Sequence, residues 1–415
     1  METRFTKTRG GMPKLFGRWC ATGMLAAGLL SGAAHAAQTY TVTIATDFTG
    51  PFADVMESWH GAQIAMIDWW NDTKGRELGV KVEPKAYDMR YDASEIAKRW
   101  PSIVSSDKPV VHLGMGGPDL VSLMNRLPSD KIPMIMGTAM LGQVWTPNGW
   151  HFSPRPTYSH EFAGIFEHLR QQLKEDRPLR IGAVSTSGIA GWEDQVNGVV
   201  KLAKMHPGQF EMAEIVSVPR QPVSVTNEIH RLLRTKPDVI LTGTTTAHVV
   251  ATLRALKELG QKIPVVTSSH NALTEVAKSI DMESLEGSFS VFSMAPFLEE
   301  GIEARDIFDK YNTSKGEWGQ TATQSAAQTV LALRVLERAI QQAGGGAVTG
   351  QAMYDALISG PYEASELLGL LPTVQFGTEA PFPVSDLKVK ALTVRGGKFA
   401  TVSDQWMPVP ALEKW

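Results

Sequence analysis

The chain has 415 residues, of which 43% are hydrophobic and 20% charged, a composition typical of globular proteins and a length sufficient for two domains. Without residues 1–36, which carry five basic side chains and one acid, 35 Lys and Arg remain against 42 Asp and Glu, a net charge of −7. This balance argues against nucleic acid or an anionic membrane surface as the main partner.

The first 36 residues have the pattern of a secretory signal peptide. The basic stretch "METRFTKTRGGMPKLFGRW" precedes the short apolar run "CATGMLAAGLLSGAA" and an A-x-A site, "AHA". The alternative is a membrane anchor, for which the run is short and rich in Gly and Ala. We expect cleavage after Ala36 and a periplasmic location. The only cysteine, Cys20, lies in this segment, so the mature chain is expected to lack disulfides and Cys-based metal sites.

Strand-like and helix-like segments alternate in two successive runs. The first run predicts strands at 39–46, 80–87, 109–113 and 132–136, and helices at 55–72, 92–106 and 118–128. The second run predicts strands at 180–185, 211–218, 238–243 and 263–268, and helices at 191–206, 224–235 and 246–260. Such alternation predicts an α/β fold of two Rossmann-like lobes, each with a mainly parallel, doubly wound sheet.

Extended segments near 153–158, 291–296 and 372–381 are predicted to cross between the lobes. They form a hinge with a cleft between the lobes. The corresponding boundaries place 37–155 plus 295–374 in the first lobe and 156–294 plus 375–415 in the second.

The remaining segments are predicted with less regular structure. The join 150–162, with two prolines, is expected to be extended and helix-poor, and 286–300 is expected to be irregular. Long helices follow near 298–312 and 320–343, and the alternating tail turns at "RGGK" to form a hairpin.

Motifs for chemistry are weak or absent. "GMGGPDL" (114–120) departs from the dinucleotide pattern G-x-G-x-x-G and predicts a tight turn into a helix. No nucleophile elbow or HExxH motif is present. Asp88, Asp92 and Glu95 could hold a hard cation, but the spacing equally fits Asp92 as a helix N-cap. We expect no catalytic residue, cofactor or metal.

Loops at the carboxyl ends of the strands are the candidates for ligand binding, because ligands of open α/β sheets bind there. "DFTGPFADV" (47–55) brings Phe52 to such a loop, and Trp192 follows the loop "TSGIAG". Trp59 lies near the start of a helix and is expected in the core or at the edge of the cleft. Hydroxyl residues in "TGTTTAH" and "TSSHNA" are expected to cap helices, contact the ligand, or both.

The ordered set "IATDFTGPFA", "YDASEIAKRW", "VVHLGMGGPDLVSLM", "IPMIMGTAM" and "PDVILTGTTTAHVVATLRALKELGQKIPVVTSS" resembles periplasmic substrate-binding proteins of branched-chain amino acid-type ABC transporters. These are the Leu/Ile/Val-binding proteins with the type I periplasmic binding fold. The resemblance covers nearly the whole mature chain. It implies three hinge crossovers, a monomer that captures a small ligand by hinge closure, and delivery to an ABC permease in the inner membrane.

The resemblance also implies where ligand contacts lie. Together with Phe52, the matching positions are Met115, Gly116, Gly117, Thr138, Ala139, Ala190, Trp192, Thr244, Thr245, Ser269 and His270. Amino acid binders of this family carry an acid that faces the ligand ammonium, but "TSSHNA" contains none. A buried ammonium without a carboxylate is costly. We therefore expect a ligand that is amino acid-like or a carboxylate, with a bulkier aromatic acid as the specific hypothesis.

Two other functions remain open from the sequence. The same fold serves exported ligand-sensing partners of membrane receptors. A secreted α/β enzyme is the third alternative, although the chain lacks a nucleophile elbow or metal cluster. Fold alone does not decide between these functions.

Overall fold

The structure is a computed structural model that describes residues 38–138, 145–379, 381–383 and 387–412. The predicted signal peptide, 1–36, lies outside the described residues. The strands are β1 (Gln38–Thr46), β2 (Val80–Asp88), β3 (Val111–Gly114), β4 (Met134–Met136), β5 (His151–Phe152), β6 (Leu179–Ser185), β7 (Phe210–Ser217), β8 (Val239–Thr242), β9 (Val265–Thr267), β10 (Phe289–Phe292), β11 (Lys388–Arg395), β12 (Lys398–Thr401) and β13 (Met407–Pro408).

The α-helices of the described part are α1 (Met56–Trp70), α2 (Arg76–Leu78), α3 (Ala93–Asp107), α4 (Gly117–Leu123), α5 (Leu127–Asp130), α6 (Tyr158–Gln171), α7 (Ala190–Met205), α8 (Thr226–Leu233), α9 (Thr246–Glu258), α10 (Leu273–Val276), α11 (Glu303–Tyr311), α12 (Gln320–Ala343) and α13 (Gly350–Ile358). A π-helical turn, Asn71–Gly75, connects α1 to α2. None of these helices is long and apolar enough to span a bilayer.

The strands form two sheets with the same internal order. The first sheet runs β2-β1-β3-β4-β5, and every pairing in it is parallel. In the second sheet, β7-β6-β8-β9-β10 repeats this order with parallel pairings. An order in which the first strand of each run is internal is that of doubly wound α/β sheets. The predicted fold class is confirmed, and we call the two sheets with their helices the first and second lobes.

The carboxyl-terminal tail completes the second sheet. β11 pairs antiparallel with β10 on one side and with β12 on the other. The turn between β11 and β12 contains Gly396 and Gly397, whose φ angles of 58° and 72° favour glycine. This arrangement confirms the hairpin predicted at "RGGK".

Two local predictions were wrong. The stretch 286–300, predicted as irregular, contains β10, which is buried between β9 and β11. Four residues are too few for a clear periodic signal. The join 150–162 contains the start of α6, where the side chain of Thr157 accepts a hydrogen bond from the backbone N–H of His160. Threonine is a favoured N-cap residue, so Thr157 was a signal in the sequence from which the start of this helix could have been predicted.

A buried polar network lies where the chain passes between the lobes. Arg155 and Glu161 form an ion pair in which both side chains are almost fully buried. Arg155 also donates to Ser269 Oγ at 2.7 Å, and Glu161 Oε1 accepts from the backbone N–H of Ser293 at 2.9 Å. We call these four residues the hinge network, because Arg155 lies in the first predicted crossing segment and Ser293 in the second.

Candidate functional site

A cavity with a free volume of about 30 Å³ lies at the carboxyl ends of the strands of both sheets. Both lobes contribute to its wall, through the loops that follow β1 to β4, through α6, α7 and the loop after β9, and through the start of α12. The lining residues are Phe52, Val55, Trp59, Tyr91, Met115, Gly117, Thr138, Tyr158, Gly191, Trp192, Gln195, His270 and Thr321. This free volume holds about one water molecule and is far below the roughly 300–1,000 Å³ of small-molecule sites, so the lobes have to separate to admit a ligand.

The loop after β1 is held by a buried carboxylate. Asp47 Oδ2 accepts a hydrogen bond of 2.7 Å from the backbone N–H of Phe52, and this bond fixes the position of the Phe52 ring in the wall. Gly50 is required beside it, because a Cβ there would lie 1.8 Å from Asp47 Oδ1. Burial is the largest cause that raises the pKa of Asp47 to about 7.

The glycine-rich turn after β3 does not offer its N–H groups to the cavity. Asp119 Oδ2 accepts from the backbone N–H groups of Met115 at 3.1 Å and Gly116 at 2.9 Å. A Cβ on Gly116 would lie 2.5 Å from the ring of Tyr91, so glycine allows Tyr91 to pack against the turn. These two N–H groups are therefore already bound by Asp119.

His270 is neutral and presents its ring to the cavity. Its Nε2 donates to the backbone carbonyl of Thr244 at 2.8 Å, while Nδ1 lies 3.0 Å from the Tyr158 hydroxyl and 2.7 Å from Ser268 Oγ. Burial, the largest cause, lowers the pKa of His270 to about 4. Both ring nitrogens are occupied within the protein, so this histidine does not provide a positive charge for a ligand.

Aromatic side chains join the two lobes across the cavity. The Phe52 ring is edge-on to Tyr91 of the same lobe at 4.8 Å and to His270 of the other lobe at 5.7 Å between centroids. Trp192, from α7 of the second lobe, is buried within the hydrophobic cluster of the first lobe. The lobes are therefore in direct contact around the cavity.

The described lining contains no Asp, Glu, Lys or Arg. The guanidinium of Arg155 lies behind this wall, with its Cζ 4.4 Å from the ring centroid of Tyr158, and is paired with Glu161. A second guanidinium, that of Arg220, lines an adjoining pocket that shares Tyr91 and Gly117 with the cavity. Segment 139–144, "AMLGQV", also has no charged residue in its sequence. A charged ligand group would thus find no opposite charge on the described wall.

Six of the twelve predicted site residues lie around the cavity: Phe52, Met115, Gly117, Thr138, Trp192 and His270. Four do not line it. Gly116 packs on Tyr91, the carbonyl of Thr244 accepts from His270, Thr245 Oγ1 bonds His248 Nδ1 at 2.7 Å, and Ser269 accepts from Arg155. Ala139 and the side chain of Ala190 lie outside the described residues. Ligand contact by any of the twelve stays a prediction.

Sequence reasoning missed half of the wall and considered Trp59 only as an alternative. The lining residues absent from the expectation are Val55, Tyr91, Tyr158, Gly191, Gln195 and Thr321. Tyr91 could have been found, since it follows β2 at the same edge as the other loops. Gln195 lies one helical turn after Trp192 and shares its face.

Of the acidic residues considered as cation ligands, Asp92 and Glu95 have structural partners at the start of α3. Asp92 Oδ1 accepts from the backbone N–H groups of Ser94 at 2.8 Å and Glu95 at 3.0 Å and thereby caps α3. Glu95 is paired with Arg99. Among the described residues, no cluster of three His, Cys, Asp or Glu side chains could hold a metal ion.

The sequence profile of the periplasmic binding protein family matches residues 39–389. A search of curated proteins finds no significant match. Among solved structures, an ABC transporter substrate-binding protein from Aeropyrum pernix is 18% identical, with a TM-score of 0.76, over 90% of this chain and 97% of that one.

A branched-chain amino acid ABC transporter protein from Thermus thermophilus, solved with bound valine, has 17% identity and a TM-score of 0.74, over 90% of this chain and 97% of that one. A fatty acid ABC transporter substrate-binding protein from Thermomonospora curvata has 16% identity and a TM-score of 0.74, over 89% and 92%. At these identities the likeness establishes the shared fold.

Proposed function

Because the chain belongs to the periplasmic binding protein family, we propose that it is an exported receptor that captures a small organic solute between its lobes and delivers it to an ABC importer. The observation that carries this proposal is the cavity whose wall is shared between both lobes. A ligand that contacts both lobes stabilises their closed arrangement over an open one. The closed, loaded form is then the species that a permease recognises.

The wall favours a largely apolar ligand. Aromatic rings and the side chains of Val55 and Met115 provide most of its surface, with hydroxyl and amide groups between them. An α-amino acid is disfavoured, since neither its ammonium nor its carboxylate meets an opposite charge among the described lining residues. An aromatic acid remains compatible only if neutral donors hold its carboxylate. The valine and fatty acid named for two relatives are therefore compounds to test and are not assumed for this chain.

The proposal includes binding without chemistry. The titratable side chains in the described lining are His270, Tyr91 and Tyr158, and burial moves the pKa of each away from the range in which it would carry charge at neutral pH. No lining residue is therefore prepared as a general base or nucleophile. We propose, in addition, cleavage of the signal peptide after Ala36 and the lobe boundaries near 155, 294 and 374.

A thermal-shift screen of the mature protein with amino acids, short-chain amides, aliphatic acids and aromatic acids tests the proposal. A ligand raises the melting temperature by an amount that grows with the logarithm of its concentration over Kd. Small-angle scattering should then show a smaller radius of gyration when that compound is added. A panel in which no compound raises the melting temperature, together with unchanged scattering, contradicts the receptor function.

A further inference from the structure

We propose that the polar groups of the cavity select an uncharged ligand head with both a hydrogen-bond acceptor and a hydrogen-bond donor, of which a primary carboxamide on an aromatic body is the simplest example. This inference rests on the proposed receptor function and names its ligand class. It is carried by three buried polar atoms in the wall.

Three lining residues have polar atoms without a hydrogen-bond partner in the described part of the chain: Trp59 Nε1, Gln195 Oε1 and Thr321 Oγ1. Their residues are only 2%, 3% and 0% exposed. Buried polar atoms are almost always paired, and an unpaired one costs free energy. The three residues line the cavity, so these atoms are suited to pair with a bound molecule.

The three groups differ in what they offer. The indole N–H of Trp59 can only donate, so it requires an acceptor on the ligand. The carbonyl oxygen of Gln195 accepts, so it requires a donor. The hydroxyl of Thr321 can do either. A carboxamide satisfies both requirements, because its oxygen accepts and its NH₂ donates, whereas a carboxylate only accepts and an ammonium only donates.

Close packing around two of these groups limits where they can point. A Cβ on Gly137 would lie 2.6 Å from Cη2 of Trp59, and a Cβ on Gly243 would lie 2.0 Å from Gln195 Oε1. Glycine at both positions leaves the space that these side chains occupy. Trp59 belongs to the first lobe and Gln195 to the second, so one ligand head that bonds both would connect the lobes.

The charges around the cavity also favour a neutral head. Asp119 lies buried behind the turn that contributes Met115 and Gly117, and the guanidinium of Arg155 is already paired with Glu161. A carboxylate would enter a site with neutral donors only and a buried acid nearby, at a large desolvation cost. The aromatic rings of the wall match a planar apolar body.

Calorimetric titration of the mature protein with phenylacetamide, phenylacetate, phenylalanine and leucine tests the inference. The first three compounds share one aromatic body and differ in the charge of the head. We expect phenylacetamide to bind at least about tenfold more tightly than the other three. Tighter binding of phenylacetate, phenylalanine or leucine overturns the inference but leaves the receptor function standing. Absence of phenylacetamide binding also overturns it.

Two variants connect this preference to the named atoms. Trp59→Phe keeps an aromatic ring but removes the N–H, and Gln195→Met removes the amide at similar length. Each should weaken phenylacetamide about tenfold and change phenylacetate less, so that the preference for the amide falls. Trp69→Phe, the same substitution on the same helix outside the cavity wall, is the control and should leave both affinities unchanged. If both cavity variants keep the wild-type preference for phenylacetamide, Trp59 and Gln195 do not bind the carboxamide head and the inference fails.

Discussion

Two sets of buried polar side chains, those of the hinge network and those of the cavity wall, differ in how their hydrogen bonds are satisfied. In the hinge network, Arg155 and Glu161 bond each other as well as Ser269 and Ser293, and of the side-chain atoms in this network Nε of Arg155 alone lacks a partner among the described residues. In the cavity wall, Trp59 and Gln195 each keep a polar atom without a partner among the described residues.

This difference distinguishes a structural role from a binding role. Internally paired groups stabilise one arrangement of the crossing segments, and the loss of either partner exposes the other to a full desolvation penalty. Unpaired buried groups cost stability in the free protein, and a ligand that pairs with them relieves this cost. Substitutions in the two sets should therefore affect different measurements.

The largest effect is expected from Glu161→Gln. The substitution keeps the shape of the side chain but leaves the buried guanidinium of Arg155 without its charge partner, which should lower the free energy of unfolding by about 3–5 kcal/mol. Urea unfolding monitored by circular dichroism measures this loss. The double variant Arg155→Met/Glu161→Gln should recover part of it. A loss below about 1 kcal/mol in the single variant would show that the hinge network is not the paired structure described above.

A second effect, dependent on pH, is expected from Asp47→Asn. The pKa of Asp47 rises from its ordinary value of 3.8 to about 7 in the fold, so folding takes up a proton within this window and stability from this group decreases as pH rises through it. Asn cannot ionise and still accepts from the N–H of Phe52. The variant should therefore gain stability over the wild type between pH 4 and pH 8, by up to about 4 kcal/mol.

When the wild type and Asp47→Asn are compared at each pH, the contributions of other titrating groups to the free energy of unfolding cancel. His270, whose pKa is lowered to about 4, changes stability in the opposite sense, because its protonation below pH 6.5 is disfavoured in the fold. It does so in both proteins. A difference in the free energy of unfolding that stays constant from pH 4 to pH 8 would contradict the predicted pKa of Asp47.

A smaller effect, on affinity and not on folding, is expected from Gly243→Ala. The new Cβ would meet Oε1 of Gln195 at 2.0 Å and displace the flexible end of that side chain. We expect about tenfold weaker binding of the compound found in the thermal-shift screen and a loss of stability of about 1 kcal/mol or less. Calorimetry measures the first and urea unfolding the second. If the wild type and Gly243→Ala bind the compound with equal affinity, Gln195 does not contact the ligand.

The smallest effect is expected from Glu167→Gln, a control for Glu161→Gln. Glu167 pairs with Arg170 at 2.7 Å on the partly exposed face of α6, where solvent screens the pair. Such pairs contribute about 0–1 kcal/mol. The same unfolding experiment should therefore show a change several times smaller than in Glu161→Gln.

The sequence predicted the fold well because the fold depends on periodic patterns. The first and second runs of alternating strands and helices appear in the structure as two sheets with the same strand order. The omissions are short or atypical elements. The strand "FSVF" has four residues, and α6 begins within a segment whose two prolines favoured extended chain.

The site was less predictable, because loop position could be inferred but side-chain partners could not. Phe52, Met115 and Trp192 lie on the loops that were expected and reach the cavity. Thr244 and Thr245 lie on an expected loop as well, but neither lines the cavity: the backbone carbonyl of Thr244 accepts from His270, and the hydroxyl of Thr245 bonds His248. The hydroxyl of Thr244 has no partner among the described residues. Only the three-dimensional packing reveals which polar atoms remain available.

The contact between Phe52 and His270 has a kinetic consequence. The rings come from different lobes and both line the cavity, so opening of the cleft on this side must break their contact. A ligand that leaves on this side waits for the lobes to separate, and its dissociation rate is limited by that motion. A series of ligands with different equilibrium affinities would in this case approach a common maximal off-rate, set by the protein and not by the ligand.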